Sequence, residues 1–82
     1  LFSFKALMPN DSLARIYKLL GEYYFAQNNY LEAAKAFKQA IYYLNLIGQT
    51  DLALKLNDVY QLVYTRSLID AYVHLIIPND KE

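Results

Sequence analysis

Cysteine is absent from this 82-residue chain, and glycine and proline occur only twice each. Without a thiol there is no disulfide framework, no thiolate metal site and no thiol nucleophile. Two glycines leave no glycine-rich loop to cradle a phosphate. So few breakers, in a chain that is 56% hydrophobic and 20% charged, exclude a disordered or collagen-like polymer. Eight basic residues balance eight acidic ones and neither sign clusters. The basic face that phosphate neutralisation requires is therefore missing, and nucleic acid is not an expected partner. No apolar run reaches the ~18 uninterrupted residues of a membrane span, so no membrane insertion is expected and the expected setting is soluble and cytoplasmic. The opening Leu1 to Met8 is apolar but interrupted by Lys5, and it lacks the basic start and the length of a signal peptide.

What remains is helical patterning. Pro9-Asn10-Asp11-Ser12 is a turn cluster that offers Asp11 or Ser12 as an N-cap. Apolar residues then recur at 13, 16, 17, 20 and 24, with Arg15, Lys18 and Glu22 on the other side, until Gln27-Asn28-Asn29 breaks the pattern. From Tyr30 to Ile47 a second stripe runs through Ala33, Ala34, Phe37, Ala40, Ile41 and Leu44, and Gly48 stops it. Thr50 and Asp51 suit a third start, and no breaker follows before Pro78. The expected fold is all-α: a three-helix antiparallel bundle with helices over about 12–28, 30–47 and 51–77. An N-terminal segment (1–11) precedes this domain (12–77) and a short tail (78–82) follows it. The expected core comprises Leu13, Ile16, Tyr17, Leu20 and Tyr24 of helix one, Ala33, Phe37, Ala40, Ile41 and Leu44 of helix two, and Leu52, Leu56, Val59 and Val63 of helix three.

Two spacings carry a resemblance. Tyr17-x₂-Leu20-Gly21-x₂-Tyr24 followed by Tyr30-x₂-Ala33-x₃-Phe37-x₂-Ala40 resembles a single tetratricopeptide repeat over residues 14–47. The small residues Gly21, Ala33 and Ala40 let two helix backbones approach, and the large ones fill the space between them. The resemblance implies a helical hairpin of a solenoid that binds peptides or proteins. About 34 residues later the pattern fails: Asp51, Lys55, Asp58 and His74 stand at diagnostic positions, and only Leu54, Ser67 and Ala71 match. Upstream, Ala6 to Asn10 looks like the end of a preceding repeat. Separately, Asn29 to Leu44 is similar to the second helix of the MIT (microtubule-interacting and transport) domain. That three-helix domain also has a longer third helix, and the resemblance implies grooves that hold short tail peptides of membrane-remodelling proteins.

The third helix, at about 27 residues and roughly 40 Å, outruns the first two at about 25 Å. Its expected overhang is apolar: Ile69, Tyr72, Val73, Leu75, Ile76 and Ile77. An uncovered apolar stretch is normally covered by another chain or by further sequence. Nine tyrosines are too many for one small core, and Tyr60, Tyr64, Leu68, Tyr72 and Leu75 step along helix three as a ridge. Either both apolar faces of helix three pack on helices one and two, or the ridge is an interface, where amphipathic aromatics are enriched. One hairpin alone makes no concave groove, so the expected partner-binding residues are Tyr60, Tyr64, Leu68, Ile69, Tyr72, Val73, Leu75 and Ile76. His74 has only Asp70 as a nearby second ligand, and Asp51, Asp58 and Asp70 are spread along a helix, so neither a metal site nor a carboxylate pair is expected. Gln27, Asn28 and Asn29 read as turn chemistry rather than as a carboxylate clamp. The expected function is non-catalytic: an adaptor or scaffold module without cofactor or metal. It binds a protein or peptide and is a possible homo-oligomer. Two readings stand beside it, an MIT-like tail-peptide module and a structural helical piece of a larger enzyme or assembly.

Overall fold

Among the described residues, Asn28 and Gly48 carry the left-handed backbone angles, φ 61° and 80°, and each closes a helix in the same way. A computed structural model describes residues 9–76. It contains three helices among them: α1 (Asn10–Ala26), α2 (Tyr30–Leu46) and α3 (Thr50–Ile76). At the end of α1, the Asn28 amide donates to the Phe25 carbonyl at 3.0 Å and the Asn29 amide to the Tyr24 carbonyl at 2.9 Å. At the end of α2, the Gly48 amide donates to the Asn45 carbonyl at 3.1 Å and the Gln49 amide to the Leu44 carbonyl at 2.9 Å. Both corners are thus Schellman motifs with the left-handed residue at the turn. Asn29 and Gln49 then serve as the last non-helical residue before the next helix. The Asn29 side chain also accepts from the Glu32 amide at 3.5 Å, and Glu32 places its charge at the start of α2.

The helix limits depart slightly from the sequence expectation. α1 starts two residues early, with Pro9 in the cap position and no side-chain cap. Pro9 contributes its carbonyl, which accepts from the Leu13 amide at 3.0 Å, while the Asp11 carboxylate accepts from the neighbouring Ser12 amide instead. α3 begins at Thr50 itself. The readings of Leu1 to Met8, of Ile77 and of the tail from Pro78 lie outside the described residues.

Tight corners make successive helices antiparallel, and side-chain pairs fix the register. Along α1 and α2, Tyr17 stacks on Tyr43 with centroids 5.9 Å apart, and Phe25 meets the edge of Tyr30 at 5.5 Å. Between them, the Phe37 ring lies against Gly21, whose missing Cβ would come within 2.7 Å of the ring. Between α2 and α3, the Arg66 guanidinium lies over the Tyr30 ring, 4.6 Å from its centroid. α1 packs on α2 and α2 on α3, whereas α1 and α3 scarcely meet. Among the described residues the three-helix bundle is therefore open on one side.

The core follows from that arrangement. Leu13, Ala33, Phe37, Ala40, Leu56 and Val63 are buried as expected, joined by Ala14, Ala34, Ala36, Tyr43 and Ala53. Six alanines line this interior, which is what close helix approach demands. Ile16, Tyr17, Leu20, Tyr24, Ile41 and Leu44 are half-buried. Leu52 and Val59 are a correction. Expected in the core, they remain 49% and 42% exposed, because α1 does not close over the side of α3 that carries them.

Candidate functional site

α3 touches the rest of the molecule through one narrow strip. Ala53, Leu56, Val63 and Ser67 are buried, and among the described residues no side chain is buried after Ser67. The Ser67 hydroxyl donates to the Tyr64 carbonyl at 2.6 Å, so its burial leaves no polar atom unpaired. Tyr60, one of the expected partner contacts, is half-buried and packs against the core. Its ring stacks on Tyr64 at 5.7 Å, and Tyr64 marks the edge of the buried strip. Leu68, Tyr72 and Leu75 continue from Tyr64 in steps of four, four and three along one flank, and Leu75 is 83% exposed. Ile69, Val73 and Ile76 are exposed on the opposite flank, in line with Leu62 and Arg66 seven residues earlier. Arg66 sits over Tyr30, the first residue of α2, so the residues that follow the next turn of α3 project past the α1–α2 corner. Arg66 Nε also donates to Asp70 Oδ1 at 3.2 Å, which ties the exposed end of the helix to its packed part.

On the open side, α1 and α3 stand as two walls above a floor made by α2. Two contiguous hollows of about 520 Å³ and about 610 Å³ share Lys18, Leu56 and Val59 and together form one groove. Its α1 wall carries Asp11, Arg15, Lys18, Glu22 and Phe25, and its α3 wall Leu52, Lys55, Val59, Leu62 and Arg66. Leu44 and Ile47 floor one end, Tyr30 and Phe37 the other. By their spacing, Arg15, Lys18 and Glu22 belong to the polar side of helix one. The structure turns that side toward α3, and the third helix supplies the second wall that a lone hairpin lacks. The signal was present in the spacing: residues 11, 15, 18, 22 and 25 recur every three or four positions, but their charge made a groove wall look like a solvent face. Lys18 Nζ donates to Glu22 Oε2 at 3.0 Å, an exposed pair of the kind that contributes little to stability.

The remaining candidates stay dispersed. His74 is exposed in the last turn of α3. Asp70 pairs with Arg66, while Asp51 and Asp58 are exposed. Among the described residues no group of three or more His, Asp or Glu side chains could hold a metal ion, and no helix is long and apolar enough to cross a membrane. Asn28 belongs to the corner: its side-chain oxygen accepts from the Tyr30 hydroxyl at 3.0 Å. Tyr30 therefore joins Asn28, Phe25 and Arg66, a cross-helix staple that periodicity alone did not single out. Compared with protein-family models, curated proteins and solved structures, the chain finds no match in any of the three.

Proposed function

We propose that this protein is a non-catalytic protein–protein interaction module, an adaptor or scaffold, that self-associates or docks through α3. One observation carries the reading: both flanks of α3 beyond Tyr64 present large apolar side chains to solvent, Leu68, Tyr72 and Leu75 on one and Ile69, Val73 and Ile76 on the other. A helix that is apolar all round is ordinarily buried, and contiguous exposed apolar surface marks interaction sites. The tetratricopeptide-like spacing then acts as the packing code of the scaffold, with Gly21 against Phe37 at its centre. A cytoplasmic setting belongs to the same proposal, consistent with a chain free of cysteine.

Sedimentation of the 82-residue chain over a concentration series tests the self-associating form. The wild type should show a mass above that of one chain by about 100 μM, an affinity of roughly 5 kcal/mol or more. Tyr72→Ser with Leu75→Ser should return it to a monomer without changing its melting temperature by more than a few degrees. A wild-type monomer at that concentration removes the oligomer and leaves docking to a different protein. A large loss of melting temperature in the monomeric variant would show that these side chains serve the fold.

A second reading, an MIT-like module that takes short tail peptides beside helix three, is favoured by the groove between α1 and α3. The other alternative, a structural helical piece of a larger assembly, has the same exposed α3 in its support. A longer chain that gained many degrees of thermal stability would favour it.

A further inference from the structure

We propose that the groove between α1 and α3 docks an amphipathic helix of about four turns from a partner protein, with carboxylates where it meets Arg15 and Lys55. This rests on reading the chain as a protein-binding module, but not on its self-association. The walls set the length. Residues 11 to 25 of α1 and 52 to 66 of α3 each line the groove over 14 residue steps, roughly 21 Å of helix. Both walls run antiparallel to α2 and so parallel to each other, each presenting a contact every three or four residues. That is the geometry with which a further helix beds into two others. The apolar floor, with Leu44 at one end and Phe37 at the other, calls for an apolar stripe on the guest.

The charges set its chemistry. The groove carries four cations, Arg15, Lys18, Lys55 and Arg66, against two carboxylates, Asp11 and Glu22, although the chain as a whole has a formal net charge of zero. Lys18 and Arg66 are already paired along their own helices. Arg15 and Lys55 have no ion pair among the described residues. They rise from opposite walls at the end of the groove that Leu44 and Ile47 floor. A guest with lysines would meet like charge there, and an uncharged one would leave both cations facing water. A guest with glutamate or aspartate on both sides of its apolar stripe pairs with both.

The test uses the whole chain and three synthetic 16-residue helical peptides that share one leucine stripe, flanked by glutamate, glutamine or lysine. Fluorescence anisotropy at low salt should rank them in that order, with the glutamate peptide about three- to tenfold tighter than the glutamine one. The preference should shrink at about 0.5 M salt. Arg15→Gln with Lys55→Gln should abolish it, and Arg15→Glu with Lys55→Glu should reverse it. Both positions are exposed, so the helical circular dichroism should not change. Amide shifts should map to Leu44, Leu52 and Val59. Binding of none of the peptides, a ranking indifferent to peptide charge or to these substitutions, or shifts confined to Leu68, Tyr72 and Leu75 would each overturn the proposal. The last outcome would still support docking through α3, and a wild type that sediments as a monomer while ranking the peptides as expected would separate the two readings in the opposite direction.

Discussion

Gly21 shows how one position couples helix chemistry to packing. In an isolated helix, exchanging glycine for alanine gains about 1 kcal/mol. Here the added methyl would lie 2.7 Å from two atoms of the Phe37 ring, and Phe37 is buried. Overpacking of this kind costs about 1–3 kcal/mol, so Gly21→Ala should lower the urea midpoint despite its better propensity. Combining it with Phe37→Leu should be less damaging than the sum of the two, because the leucine lacks the ring edge that the methyl strikes. A higher midpoint for Gly21→Ala would show that α1 and α2 are free to move apart. This contact was legible in the sequence because it is steric: small residues at Gly21, Ala33 and Ala40 opposite a large Phe37 admit few other arrangements. The Tyr30 staple was not legible, since its partners Phe25, Asn28 and Arg66 come from three different elements and share no spacing.

At the scale of elements, the corners were readable and the long helix was only partly so. Asn28 and Gly48 announce helix ends by their chemistry, and both adopt the left-handed conformation. Gly48 has nothing within 4 Å of where a Cβ would stand. The cost of Gly48→Ala is thus purely conformational, about 1–2 kcal/mol, read as a lower urea midpoint at unchanged slope. Gly48→Asn should recover part of it, since asparagine tolerates this region, as Asn28 does. A neutral Gly48→Ala would mean that the corner does not need positive φ. For α3 the difficulty was its lack of contrast. Leu52, Val59 and Leu62 are no less apolar than the buried Leu56 and Val63, so periodicity could not say which strip faces α2. The position of α1 decides that, and it is a tertiary fact. The same ambiguity hid the groove, because Leu52 and Val59 were assigned to a closed core and Arg15 and Lys18 to solvent.

The described residues measure 50 × 33 × 17 Å, with a radius of gyration of 15.1 Å. A compact domain of this length would come near 12 Å, so the helices form a shallow layer with an exposed side rather than a closed triangle. Such a layer buries little apolar surface per residue, and an interior lined with alanines adds little more. Its stability should therefore be small and responsive to whatever covers it. A ligand that binds only the folded chain contributes about 2.7 kcal/mol at a hundredfold excess over its dissociation constant. For a domain of this size that corresponds to a rise in melting temperature of roughly 10–20 °C. Thermal unfolding with the glutamate-flanked peptide should show a shift of that order, and with the lysine-flanked peptide little at the same concentration. If α3 pairs with a second copy, the melting temperature should also climb with protein concentration when no peptide is present, and Tyr72→Ser with Leu75→Ser should flatten that dependence while leaving the peptide shift intact. The two dependences separate because Tyr72 and Leu75 lie on one flank of α3 whereas Lys55, Val59 and Leu62 line the groove from the other. Loss of both effects from either pair of substitutions would mean that the groove and the exposed ridge act as one surface.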